Sequence, residues 1–442
     1  MFTPSIWILM IGSLRRQSLL LVFFLPLTAC GPADMERVDD AGTVSEAVPA
    51  PAEEIRVGAR VLVDEVPGAV RGRRAGLLTN HTGIVAAGPG EVVSTVDLLY
   101  DHPDIDLVAL FGPEHGIRGT AEAGEHVDSS VDEATGLPVH SLYGGSTKPT
   151  PEMLEGVEVL LFDIQDIGTR YYTYVWTMTL AMEAAAEAGI PFVVLDRPNP
   201  LGSTTGGNVL DPEYASLVGR YPVPMRHGLT PGEVARFVAG EFDLPVELTV
   251  VPVAGWDPDR ALPEGALPWV APSPNMPSLV SATHYPGTCL FEGTPLSVGR
   301  GTDRPFQQVG APWLDGDELA RRLNAKGLPD VRFEAVRFMP DTPGDGKFGE
   351  VEVSGIRFEA LGSGYEPELA AYAALVEARD MSGEAWSWRE THFDRLAGTD
   401  VLRASVEAGE ALSAVRSRWS EERSAFHQTV APYLLYPRDS TR

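Results

Sequence analysis

Lysine is almost missing from this chain. Among 442 residues there are three, Lys148, Lys326 and Lys347, so nearly all positive charge sits on arginine. Each cation can therefore grip a carboxylate through two N–H groups at once. Positive charge of any kind is short: 34 Lys and Arg stand against 62 Asp and Glu, a formal charge of −28. A chain this acidic is a poor partner for nucleic acid, which needs a basic face. Cysteine is limited to Cys30 and Cys289. No G-x-G-x-x-G follows a strand and no G-x-x-x-x-G-K-[ST] occurs, so nucleotide cofactors have no support. The missing G-x-S-x-G argues against an α/β-hydrolase elbow. With no H-E-x-x-H and no C-x-x-C, a standard zinc site is unsupported.

The first thirty residues read as an address. Arg15 and Arg16 precede an apolar run from Leu19 to Leu27, then Thr28-Ala29-Cys30. A basic start, a short apolar stretch and small residues before the cut describe a secretory signal. The run is too short to be a stable transmembrane helix. Leu27-Thr28-Ala29-Cys30 resembles the bacterial lipobox, in which the cysteine becomes the lipidated first residue. Residues 1–30 are thus expected to be a lipoprotein signal peptide with Cys30 as the lipidation site. The expected location is the cell envelope, membrane-anchored and periplasmic or extracytoplasmic. Residues 31–54, rich in Ala, Pro, Gly and acids, read as a flexible tether. Lipidation of Cys30 would leave Cys289 without a disulfide partner. Its apolar neighbours mark it as a small buried core residue rather than a nucleophile.

Length points to two or three domains, and 44% hydrophobic with 22% charged residues is ordinary for a globular protein. From Arg74 the chain alternates strand and helix. Short apolar strands are expected at 75–78, 107–111, 157–164 and 192–195, with helices at 93–100 and 174–188. The strands are continuous apolar runs, as in a parallel sheet buried on both faces. Each runs into a polar, residue-specific loop: Thr79-Asn80-His81-Thr82-Gly83, Gly112-Pro113-Glu114-His115-Gly116-Ile117-Arg118-Gly119, Gln165-Asp166-Ile167-Gly168-Thr169-Arg170-Tyr171-Tyr172, and Asp196-Arg197-Pro198-Asn199-Pro200. Ligands of open α/β sheets bind at the carboxyl ends of strands, so four such loops in register point to one site.

Glu114, in a glycine-flanked loop, reads either as a general acid or base or as a carboxylate that caps the following turn or pairs with Arg118. Of Asp163 and Asp166, Asp163 is read as structural. Asp196 and Arg197 read as an internal ion pair that fixes their loop. A second cluster runs from the Pro-rich loop Ala271-Pro272-Ser273-Pro274-Asn275-Met276-Pro277 through Tyr285-Pro286-Gly287-Thr288 and Phe291-Glu292-Gly293-Thr294 to Gly299-Arg300-Gly301-Thr302-Asp303-Arg304-Pro305-Phe306. Tyr143, Tyr171, Tyr172, Tyr174, Trp269, Tyr285 and Phe291 border these loops, and rings with a polar tip suit sugar faces. Trp176, inside a helix, reads as core. Beyond residue 310, helices are expected at 315–326 and 367–379 and strands at 331–338 and 355–360, a mixed α/β unit.

The stretches 77–83, 111–119, 163–172, 196–200 and 291–294 through 299–306 resemble the YbbC/NamZ family of exo-β-N-acetylmuramidases over roughly residues 56 to 436. The resemblance implies an α/β fold: a Rossmann-like N-terminal catalytic domain with a parallel sheet (55–308), and a smaller C-terminal α/β domain (309–442). It implies a glycoside hydrolase that releases terminal β-N-acetylmuramic acid (MurNAc) from the non-reducing end of peptidoglycan fragments during cell-wall turnover. No metal or organic cofactor is implied. The expected partners are MurNAc-GlcNAc saccharides and, through Cys30, the membrane.

Glycosidic cleavage needs an acid at the leaving oxygen and charge to stabilise an oxocarbenium-like transition state. Glu114 is the expected acid, Glu292 the leading second carboxylate, with Asp166 and Asp303 behind it. The expected substrate-binding set is Asn80, His81, His115, Arg118, Arg170, Tyr172, Asn275, Arg300, Asp303 and Arg304. The lactyl carboxylate of MurNAc calls for a bidentate arginine, with Arg118, Arg170, Arg300 and Arg304 as candidates. Two rival readings stand beside this one. His81, His115, Asp163, Asp166 and Asp196 could form a His/carboxylate metal site. Alternatively, the chain could be a non-catalytic muropeptide-binding lipoprotein.

Overall fold

The apolar runs are strands because helices cover them on both sides. In the structure, a computed structural model, Leu78, Leu160, Phe162, Phe192 and Val194 point into one core. Their neighbours Leu77, Val159, Leu161, Val193 and Leu195 point into another. Side chains alternate across a strand, so burying both sets requires apolar residues at every position. Each such Leu or Phe contributes roughly 1.5–3 kcal/mol by leaving water. The structure describes residues 55–65, 68–88, 90–113, 117, 130–260 and 267–438. The signal, Cys30, the tether, Glu114, His115 and Arg118 lie outside the described residues.

In chain order the N-terminal elements are α1 (Gly58–Asp64), β1 (Arg74–Thr79), β2 (Ile84–Gly88), β3 (Glu91–Ser94), α2 (Thr95–Tyr100), β4 (Asp106–Gly112), β5 (Ser130–Val131), β6 (Pro138–Ser141), β7 (Val159–Asp163), α3 (Tyr174–Ala188), β8 (Phe192–Leu195), β9 (Gly206–Val209), β10 (Pro224–Arg226), α4 (Pro231–Glu241), β11 (Leu248–Val251) and α5 (Leu279–Thr288). The remainder is β12 (Gln308–Ala311), α6 (Gly316–Asn324), β13 (Val331–Phe338), β14 (Val353–Ala360), α7 (Pro367–Ser382), α8 (Glu390–Ala397), α9 (Val401–Ala408) and α10 (Leu412–Val430).

The main sheet has seven strands in the order β11-β8-β7-β1-β4-β6-β5. All neighbours are parallel except β5, which runs antiparallel to β6. The chain leaves β1 toward β4 on one side and later returns to β7 on the other. The topological switch point therefore lies between β1 and β7, where open sheets of this kind bind ligands. A second, antiparallel sheet has the order β12-β14-β13. One apolar core runs without a break from Leu78 to Val430.

Local rules set the ends of several elements. α4 begins with a capping box, in which Thr230 Oγ1 accepts from Glu233 N at 3.2 Å and Glu233 Oε2 accepts from Thr230 N at 3.1 Å. Asp196 also caps the same helix N-terminus, accepting from Gly232 N at 2.8 Å and Thr230 Oγ1 at 2.8 Å. The tail closes over this point. Tyr436 OH donates to Asp196 at 2.6 Å, Leu435 N donates to Glu233 at 3.0 Å, and Arg438 pairs with Glu233.

The structure changes four local expectations. The helix expected at 93–100 begins only at Thr95, because Val93 pairs with Val85 and Ser94 caps the helix by accepting from Val96 N. The strand expected at 157–164 is confined to Val159–Asp163. Tyr285-Pro286-Gly287-Thr288 is not a loop but the last turn of α5. There Gly287 lets α5 cross the start of α7, since a Cβ would collide with the Pro367 carbonyl. Finally, Arg197 does not pair with Asp196.

Candidate active site

The loops after β1, β7 and β8 meet at the switch point, and buried polar bonds hold them there. Asp163, at the end of β7, accepts from Arg197 Nε and, at 2.9 Å, Nη2. It also accepts from Thr95 Oγ1. Asp163 and Arg197 are 0% and 4% exposed. Asp163 is thus structural, as read from the sequence, and its arginine comes from the loop after the neighbouring strand β8. Asp196 turns the other way, to the N-terminus of α4. Burial raises its carboxyl to about 7 against the hydrogen bonds from Tyr436, Gly232 and Thr230.

Thr82 ties β1 to β7: its hydroxyl accepts from Gln165 N at 2.9 Å and donates to Asn80 Oδ1 at 2.6 Å. Gln165 Nε2 then reaches the Pro198 carbonyl at 2.8 Å, joining the third loop. Asp166 is buried beside it. Its Oδ2 accepts from Gly168 N at 2.6 Å, while Oδ1 has no hydrogen-bond partner among the described residues. Gly168 has φ +75°, and a Cβ there would collide with Asn199.

His81 Nε2 donates to the Ala271 carbonyl at 2.7 Å and so pins the Pro-rich loop to β1. The segment running into that loop borders one hollow and the loop itself a second. A cavity of about 530 Å³ is lined by Thr82, Gln165, Arg197, Pro198 and Trp269, a volume suited to a small ligand. A smaller hollow of about 100 Å³ is lined by Tyr172, Tyr174, Asn275, Tyr285, Arg300 and Phe306. Tyr172 packs edge-on against Tyr174 and Tyr285.

The expected site residues therefore separate into groups. Asn80, His81 and Asp166 gather at the switch point, and Tyr172, Asn275 and Arg300 gather in the tyrosine-lined hollow. Glu292 sits behind Arg300: its Oε1 accepts from Arg300 Nε at 2.7 Å and lies 2.6 Å from Nη2. Lys347 Nζ staples that turn through the carbonyls of Phe291 at 3.2 Å and Leu296 at 2.8 Å. Burial lowers the ammonium of Lys347 to about 8. Asp303 and Arg304 lie at the surface, 3.7 Å apart and 85% and 45% exposed.

Arg170 is not brought to the cleft. It is fully buried, with Nη1 donating to the carbonyls of Asn208 and Val223 and Nη2 to those of Leu396 and Ala397. Burial lowers it to about 10. With both Nη groups committed to backbone, Arg170 ties β9 and the chain before β10 to the end of α8. Of the proposed metal ligands, Asp163 and Asp196 are committed to Arg197 and to α4. Among the described residues no group of three or more His, Cys, Asp or Glu is placed to hold a metal ion. Cys289 is buried, and burial first, then Glu292, pushes its thiol well above the usual range.

Sequence reasoning missed His227 and the tie made by Thr82. His227 is fully buried beside Asp166, its Nε2 3.6 Å from Oδ2. It lies 61 positions downstream, and no spacing in the sequence signals the pairing.

An open parallel sheet with buried polar groups at its switch point defines an α/β protein built to bind a small ligand there. The N-terminal profile of exo-beta-N-acetylmuramidase NamZ matches residues 75–280, and the C-terminal profile matches residues 283–436. The peptidoglycan beta-N-acetylmuramidase NamZ of Bacillus subtilis is 43% identical over 386 residues, which is 87% of this chain and 92% of that one. A crystal structure of a DUF1343-family protein from Bacteroides fragilis superposes with a TM-score of 0.79 at 35% identity, covering 88% of this chain and 100% of that chain. A second from the same organism gives 0.69 at 31% identity, covering 87% and 99%. The chain belongs to the exo-beta-N-acetylmuramidase NamZ family.

Proposed function

We propose that the protein is an exo-acting glycoside hydrolase that releases terminal β-MurNAc from peptidoglycan fragments. The observation that carries this reading is the convergence of the family's motif stretches on one edge of the sheet. Residues 79–83, 163–172 and 196–200 follow β1, β7 and β8 and are hydrogen-bonded to one another through Thr82, Gln165 and Arg197. Strand β4, which leads to Glu114, pairs with β1 on the other side.

In this proposal Glu114 protonates the leaving oxygen. Asp166 retains an uncommitted oxygen and supplies negative charge near the sugar. Arg300, held by Glu292 and lining the tyrosine hollow, is the described arginine best placed to read the lactyl carboxylate. The protein works at the cell envelope, anchored through Cys30, where such fragments arise.

The test is hydrolysis of p-nitrophenyl β-MurNAc by the full chain and by Glu114→Gln, with and without EDTA. Turnover that survives EDTA and falls at least a hundredfold in the variant supports the proposal. Turnover abolished by EDTA supports the metal-dependent alternative. Binding of muropeptides by the folded wild type without turnover supports a binding protein.

A further inference from the structure

Two polar atoms at the switch point keep their hydrogen-bonding capacity although buried. Asn80 and Asp166 are each 3% exposed. Asn80 Oδ1 accepts from Thr82 N at 2.9 Å and from Thr82 Oγ1 at 2.6 Å. Both contacts come from donors, which assigns the oxygen to that side and turns Nδ2 away. Nδ2 has no hydrogen-bond partner among the described residues. Asp166 is arranged likewise, with Oδ2 engaged by Gly168 N and Oδ1 unengaged. A short path joins the two: the Thr82 hydroxyl that donates to Asn80 accepts from Gln165 N, one residue before Asp166.

A buried polar atom left unpaired costs on the order of 1–3 kcal/mol, so the arrangement calls for a ligand that pairs both. One atom is an amide donor and the other a carboxylate oxygen, an acceptor. A secondary amide is the complement, with a carbonyl to accept and an N–H to donate. We infer that Asn80 and Asp166 read the 2-acetamido group of the terminal sugar. Asn80 Nδ2 donates to the acetamido carbonyl, and Asp166 Oδ1 accepts from the acetamido N–H. This assignment rests on the glycosidase reading for its substrate class.

His227 is the positioning residue of the pair. Its Nδ1 accepts from Leu229 N at 3.1 Å, which leaves the ring proton on Nε2. Nε2 faces Asp166 Oδ2 at 3.6 Å, longer than a hydrogen bond but close enough to favour that oxygen's orientation. Together with Gly168 N it holds Oδ2, so that Oδ1 is the oxygen left for the sugar.

The test measures binding of MurNAc and of 3-O-lactylglucose, in which a hydroxyl replaces the acetamido group, by calorimetry on the full chain. The wild type is expected to prefer MurNAc by roughly 10- to 100-fold. Asn80→Ala and Asp166→Asn are each expected to remove most of that preference. His227→Asn keeps an acceptor at the Nδ1 position and removes the Nε2 donor, so it loses discrimination. His227→Gln restores a donor at the Nε2 position and recovers a good part of it. A purely structural His227 would give the opposite order, because only the Asn variant retains the bond to Leu229. A wild type that does not discriminate, fails to bind either sugar, or whose variants weaken both sugars equally overturns the assignment. Turnover of p-nitrophenyl β-MurNAc is measured on the same protein. Discrimination without turnover sinks the glycosidase reading alone, and turnover without discrimination sinks the acetamido reading alone.

Discussion

Arg197 grips Asp163, 34 positions earlier in the chain, through both Nε and Nη2, while its sequence neighbour Asp196 faces helix α4. The pair joins β7 to the loop after β8 directly beneath the candidate site. Removing one partner of a buried ion pair typically costs about 3–5 kcal/mol, because the other charge stays buried and unpaired. Asp163→Ala is therefore expected to lower the unfolding free energy by that amount. The double variant Asp163→Leu/Arg197→Met should recover part of the loss. Urea denaturation of the three proteins decides this; equal midpoints for the wild type and the single variant would refute it.

Gly168 shapes the Asp166 turn. Its φ of +75° disfavours any other residue, and a Cβ would collide with the Asn199 carboxamide. Gly168→Ala is expected to lower kcat by more than tenfold and to destabilise the fold by about 1–3 kcal/mol. Steady-state kinetics on p-nitrophenyl β-MurNAc and thermal melting provide both readings.

Asp196 and His284 give stability opposite pH dependences. Asp196 is raised to about 7 by burial. Its contribution is fully present below the unfolded value of about 4 and is lost as pH rises through 7. His284, lowered to about 4 by burial, contributes above about 6.5 and loses that as pH falls toward 4. The two slopes offset each other in the wild type. Asp196→Asn removes one of them, so its melting temperature should compare better with the wild type at pH 8 than at pH 5. A difference independent of pH would contradict the assignment.

Arg300 tests the reading of the lactyl group. A lysine carries the charge without the planar fork. Arg300→Lys is expected to reduce kcat/KM for a MurNAc glycoside roughly 10- to 100-fold, against a much smaller change for the GlcNAc glycoside. Parallel losses on both substrates would remove Arg300 from that role.

Much of the fold was legible because the relevant rules are local. The expected spans 174–188, 192–195 and 331–338 coincide with α3, β8 and β13. The helix expected at 315–326 is α6, shortened to Gly316–Asn324 because Asp315 caps it, accepting from Glu318 N at 3.0 Å. Strands β6 and β11 escaped notice because each buries only one of its four residues, whereas the equally short β8 buries all four. Tyr285-Pro286-Gly287-Thr288 falls in sequence among the loops of the second cluster, yet packing against α7 holds it helical.

The sequence by itself determined the parallel sheet, its burial on both faces and the edge at which the polar loops gather. Those properties follow from residue periodicity and from the polar stretches placed directly after apolar runs. Tertiary structure alone decided which charges are partners. Asp163 with Arg197, Asp166 with His227, Arg170 with four backbone carbonyls, and Asp196 with Tyr436 near the end of the chain are all pairings across distant segments. A charge carries no mark of its partner along the chain. Whether it serves the fold or is left for a ligand depends on which donors the folded backbone brings within 3 Å of it.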